Sequence, residues 1–161
     1  GVYGTDSTVH SGLFMGVGSA AVMPHAQILD TPLDAERART AVLGDADGAV
    51  VLFEGVVRNH DQGQGVESLD YSAHPQAAEM LAAIVAQVEQ EFGVTAFAEH
   101  RVGSLTIGDV ALVAACSSAH RRESFVACGE LVERIKQGVP IWKNQHFTNG
   151  ASEWVGLDDH C

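Results

Sequence analysis

Residues 94–117 read VTAFAEHRVGSLTIGDVALVAACS, and this stretch decides the fold class. Two strand-like runs, 94–102 and 110–117, flank the connection GSLTIGD, which leaves no room for a crossover helix. Upstream, Ala77, Leu81, Ile84, Val85, Val88 and Phe92 recur at helical spacing, with Gly93 closing the helix. Downstream, Phe125, Cys128, Leu131, Val132 and Ile135 mark a second amphipathic helix, stopped by Gly138 and Pro140. Residues 141–147, the Asn149-Gly150 turn and residues 152–155 then read as a terminal hairpin.

Further upstream, residues 48–57 form a buried strand, 58–65 (RNHDQGQG) a polar loop and 66–71 a second strand, a hairpin-like pair. Before them stand a short apolar run, 26–29, and a helix with Thr31 as N-cap and Pro32 in its first position, ending near Gly44. The order β, α, β, β, α, β, β, α, β, β has too few βαβ crossovers for a doubly wound fold. It predicts α+β, a single domain over 23–161 with a mixed or antiparallel sheet. Residues 1–22 carry one charged residue and no sustained period, so they read as a leader or tag-like extension, with Met23 as a natural start.

At 161 residues the chain is long enough to bury a core without a disulfide or metal. Nine Lys and Arg against 21 Asp and Glu give a formal charge of −12, which disfavours nucleic acid and anionic lipid. Three cysteines without CxxC spacing indicate neither a disulfide framework nor a zinc knuckle, and fit a reduced, cytoplasmic setting. The apolar residues 12–22 are too few to span a bilayer. The histidines show no metal-ligand spacing and no GxSxG elbow is present, so no metal site and no serine hydrolase is expected.

The scarce cations carry the chemistry. Arg37, Arg39, Arg122 and Arg134 read as solvated or in surface ion pairs. Arg58, His120, Arg121, Lys136 and Lys143 instead fall at element boundaries, where side chains from separate elements can converge on an anion such as phosphate. At the 117–122 stretch Ser118 reads as the helix cap, and Lys136 in the last turn also complements the helix dipole.

The series Phe53-Glu54-Gly55-Val56-Val57-Arg58-Asn59-His60, Leu69-Asp70-Tyr71, His100-Arg101-Val102-Gly103, Ser118-Ala119-His120-Arg121, Lys136, Val139-Pro140-Ile141-Trp142-Lys143 and Glu153-Trp154-Val155 resembles the large, catalytic subunit of molybdopterin synthase. That resemblance implies an α/β hammerhead fold, a homodimer, and a small ubiquitin-like sulfur carrier bound to each catalytic subunit as a heterotetramer. It implies that the carrier's C-terminal Gly-Gly thiocarboxylate donates sulfur to cyclic pyranopterin monophosphate, with no metal or organic cofactor. It places catalysis on Lys136 and Lys143, and substrate binding on Phe53, Arg58, His120 and Arg121. Some members carry an arginine shortly after the last tryptophan, contributed across the dimer; here Trp154 is followed by Val155-Gly156-Leu157-Asp158. The rival readings are a non-catalytic receptor for a ubiquitin-like tail and a phosphate-ester enzyme using His120.

Overall fold

The computed structural model describes residues 24–61 and 63–156. The leader at 1–22, Cys161, Leu157 and Asp158 therefore lie outside the described residues. The elements run β1 (Ala26–Leu29), α1 (Ala35–Val42), β2 (Ala49–Val56), β3 (His60–Asp61), β4 (Gln64–Ala73), α2 (Ala77–Phe92), β5 (Thr95–Arg101), β6 (Gly103–Thr106), β7 (Val110–Ser118), α3 (Arg121–Gly138), β8 (Ile141–Phe147) and β9 (Ser152–Gly156). The α+β expectation holds, with two sheets in place of one.

The first sheet has the order β1-β5-β7-β2, parallel at β1/β5 and antiparallel elsewhere. Its central strands are apolar on both faces because both are covered. Ala96, Ala98, Leu112, Ala114 and Cys116 face α2 and α3, while Phe97, Val113 and Ala115 face Ala38 and Val42 of α1. Gly93 ends α2 in the left-handed region, at φ 66°, where other residues are strained. Gly48, just before β2, runs so close to the connection between β7 and α3 that a Cβ there would meet the Ala119 carbonyl oxygen at 2.5 Å.

The second sheet runs β3-β4-β8-β9, with β6 also paired to β4, around Val57, Val66, Leu69, Leu105, Ala111 and Phe147. Its make-up corrects two expectations. The strands 48–57 and 66–71 are not a hairpin pair: β2 pairs β7 in one sheet and β4 pairs β8 in the other. The connection GSLTIGD contains a strand, β6, whose Leu105 is fully buried under the second sheet.

Four local readings also change. Asp34, not Thr31, caps α1, its carboxylate accepting from Glu36 N–H at 3.0 Å. Ser118 does not cap α3: its hydroxyl donates to the His120 carbonyl and pairs with Ser124. Phe125, expected in the buried stripe of α3, is 65% exposed. Arg37, read as solvated or in a surface ion pair, does form an ion pair, but with the fully buried Glu99 of β5, at 2.6 Å. Cys116 and Cys128 are buried free thiols between β7 and α3. Among the described residues no helix is long and apolar enough to cross a membrane.

Candidate active site

Where the first sheet's β2 end meets the second sheet, a cleft of about 200 Å³ opens. Arg58 enters it just past β2, Lys136 from the last turn of α3, and Lys143 from β8. Strand alternation sets the β8 contribution: Lys143 and Gln145 point inward, while Trp142 between Ile141 and Lys143 is exposed. Three of the chain's nine cations thus line one small cleft in a protein of net charge −12, a concentration of positive charge that favours an anion.

Asp61 organises one wall. The carboxylate is 5% exposed, and its two oxygens accept from Arg58 Nη2 at 3.0 Å and from Gln145 Nε2 at 2.9 Å. β3 pairs with β4, and from it the Asp61 carboxylate reaches across to Gln145 of β8. Arg58 itself stays 64% exposed, available to a ligand.

His100 forms the floor with Tyr71, whose ring meets the imidazole edge-on at 5.0 Å. Its Nδ1 lies 2.8 Å from the Arg101 carbonyl oxygen, which can only accept, so the proton sits on Nδ1. Burial pushes the imidazole pKa down from 6.5 to about 4; the Arg101 carbonyl opposes this and the Lys136 charge adds to it.

The other expected site residues lie elsewhere in the chain. His120 and Arg121 stand at the N-terminal end of α3 beside Arg122, Phe125 and Val126. Across the 18 residues of α3 that end is about 27 Å from the Lys136 end. Phe53 lines a third depression with Leu52, Phe125, Cys128 and Val132, although its ring abuts Gly55, which does line the cleft. Sequence reasoning missed His100, Tyr71, Gln145 and Asp61. The available signal was an imidazole near the end of the strand TAFAEHR, whose five central residues, His100 among them, are buried.

Comparison with known proteins identifies the family. The family model described as "MoaE protein" matches residues 28–138. Molybdopterin synthase catalytic subunit 1 of Mycobacterium tuberculosis is 40% identical over 135 residues, covering 83% of this chain and 91% of the relative. The crystal structure of molybdopterin synthase from Staphylococcus aureus superposes with a TM-score of 0.78 at 36% identity, covering 83% of this chain and 98% of that one. A protein-protein complex of subunits 1 and 2 of molybdopterin-converting factor from Helicobacter pylori shares the fold, with a TM-score of 0.61 at 19% identity, covering 81% and 88% of the two chains.

Proposed function

The chain belongs to the MoaE family of molybdopterin synthase catalytic subunits, and on that premise we propose that the Lys136 cleft is where sulfur is transferred. The donor is the C-terminal Gly-Gly thiocarboxylate of a small ubiquitin-like carrier, and the acceptor is cyclic pyranopterin monophosphate. The observation that carries this reading is the convergence of Arg58, Lys136 and Lys143, from three separate elements, on one cleft.

Both reactants are anions, and both gain from that field. Arg58 and Lys143 hold the phosphate and pterin end, with Arg58 aimed by Asp61. The thiocarboxylate sulfur forms a C–S bond to a carbon of the pterin side chain as that carbon's C–O bond breaks, the departing oxygen leaving with the bonding electron pair and taking up a proton. Water then attacks the acyl carbon, the acyl C–S bond breaks, and the carrier leaves as a carboxylate with the sulfur on the pterin. Charge develops on the acyl oxygen during that attack, and Lys136 is the ammonium that stabilises it, in a cleft where such charge is worth more than in water. Two rounds give the dithiolene.

The partner arrangement follows from what one chain leaves unfinished. β2 is the edge of its sheet, and Leu52, Phe125 and Val126 are exposed along the same side, at 40%, 65% and 46%. In the homodimer we propose, a two-fold axis near the middle of α3 would set the N-terminal end of a second copy's helix against the C-terminal end of the first. That arrangement would bring the second copy's His120 and Arg121 beside the Lys136 cleft. A homodimer carrying two sulfur carriers is the assembly proposed, and the free buried thiols fit a cytoplasmic setting. Incubation of the chain with a thiocarboxylated carrier and cyclic pyranopterin monophosphate tests the reading: dithiolene should form, and its absence with an intact carrier contradicts it.

A further inference from the structure

Resting on the reading of the Lys136 cleft and its homodimer above, we propose that Ser118 is a positioning residue: its hydroxyl, braced by Ser124, sets the turn that presents His120 and Arg121 to the cleft of the second copy. The turn joins the last residue of β7, Ser118, to the first of α3, Arg121. Its outer residues, Ala119, His120 and Arg121, are exposed, whereas Ser118 and Ser124 beneath them are 5% and 0% exposed.

The bonds under the turn run in one direction. Ser118 Oγ donates to the His120 carbonyl at 2.6 Å, and a hydroxyl has a single proton to give, so in the contact between the two serines Ser124 donates to Ser118 Oγ. Ser124 stands in the first turn of α3, and its Oγ also lies 3.5 Å from the Ala49 carbonyl oxygen of β2. On the backbone side, Gly48 N–H donates to the Ser118 carbonyl at 3.0 Å. A Cβ on Gly48 would meet the Ala119 carbonyl oxygen at 2.5 Å, so the chain ahead of β2 closes on the turn with no room for a side chain between them. The turn is therefore fixed from its hydroxyl side and from its backbone side.

Helix stability alone does not call for this arrangement. A serine this close to a helix start ordinarily spends its oxygen on the first helical amides. Ser118 instead turns its hydroxyl to a carbonyl, and α3 begins at His120 with no side-chain cap. The hydroxyl thereby holds the peptide between His120 and Arg121, the two residues that have to meet one phosphate together. The exposed pair is set by a buried one.

Ser118→Ala should raise KM for cyclic pyranopterin monophosphate about tenfold with kcat within about twofold, and Ser118→Thr, which keeps the hydroxyl, should recover most of the loss. The decisive arm uses mixed dimers, made by co-expressing the Ser118→Ala chain with an excess of a differently tagged Lys136→Ala chain and purifying on both tags. The working cleft of such a dimer belongs to the Ser118→Ala chain and receives the turn of the other chain, whose Ser118 is intact. Its kcat/KM should return to within about twofold of a wild-type cleft. A mixed dimer as impaired as the Ser118→Ala dimer overturns the proposal, because Ser118 then acts on its own chain. An unchanged KM in Ser118→Ala, or equal losses in the Ala and Thr variants, overturns it too. A wild-type chain without turnover refutes the functional reading instead, and titration with inorganic phosphate then decides for Ser118 by itself. The backbone amide resonances of His120 and Arg121 should shift in the wild type at about tenfold lower phosphate than in Ser118→Ala, and coincident midpoints overturn the proposal.

Discussion

Replacing His100 by Gln should flatten the acid limb of the chain's stability profile. In the folded protein burial holds the imidazole pKa at about 4, whereas in the unfolded chain it titrates at its ordinary value near 6.5. Between those two pH values the unfolded chain binds a proton at this position and the folded chain does not. Stability therefore rises with pH across that window and is lost on acidification. The gap of about 2.5 pH units at 1.36 kcal/mol each makes the full effect about 3 kcal/mol, of which about 2 kcal/mol is spent by about pH 5. For a domain of this size that corresponds to a fall in Tm of about 4–8 °C. Urea unfolding of wild type and His100→Gln at about pH 7.5 and about pH 5 isolates the term, because the other histidines and carboxylates are common to both chains. The wild type should lose about 2 kcal/mol more than the variant between the two conditions. An equal loss in both would show that His100 is solvated in the folded state, and the account of the cleft floor would fall.

Asp61→Ala should cost about 1–3 kcal/mol by leaving the buried Gln145 amide without its acceptor, and should also weaken pterin binding by freeing Arg58. Asp61→Asn should restore most of the stability but not the binding, and calorimetric unfolding that leaves the two variants equal contradicts the wall described. Asp70 accepts from Ser104 and from His146 at 2.6 Å, and these bonds hold its carboxyl below the ordinary range. Its contribution is present above the unfolded carboxylate's pKa and lost as pH falls through the depressed one, so Asp70→Asn should lower Tm at neutral pH and converge with wild type in strong acid. A pH-independent gap counts against it. A chain starting at Met23 should match the full chain in Tm and turnover, and a drop of several degrees would mean that residues 1–22 dock on the domain.

The elements whose burial is decided locally were legible. The stripe of Ala77, Leu81, Val85 and Val88 with Gly93 behind it could only be a helix on a sheet, and β7 is apolar throughout because both its faces are covered. Long-range pairing was not legible. β2 and β4 look like neighbours across a polar loop, and only the register to β7 and β8 separates them into two sheets. β6 escaped because one apolar side chain, Leu105, does all its burying. Phe125 has the right helical spacing, but periodicity does not tell which end of a stripe has a sheet beneath it. At the site, Arg58, Lys136 and Lys143 stood out because cations are rare in this chain. His100, Asp61 and Gln145 act through cross-strand neighbours that sequence spacing does not encode.

The most direct test of the central claim is single-turnover sulfur transfer by Lys136→Ala, with thiocarboxylated carrier at saturation and cyclic pyranopterin monophosphate in excess. Removing the ammonium from the last turn of α3 costs only about 0.3–1 kcal/mol of stability through the helix dipole, because Cys128, Leu131, Val132 and Ile135 hold that helix. The variant should bind carrier and remain folded while dithiolene formation collapses, and Lys136→Arg should show how much of the rate a fixed charge alone sustains. Near-wild-type transfer by Lys136→Ala would contradict the account and leave Lys136 as an ordinary helix-terminal cation.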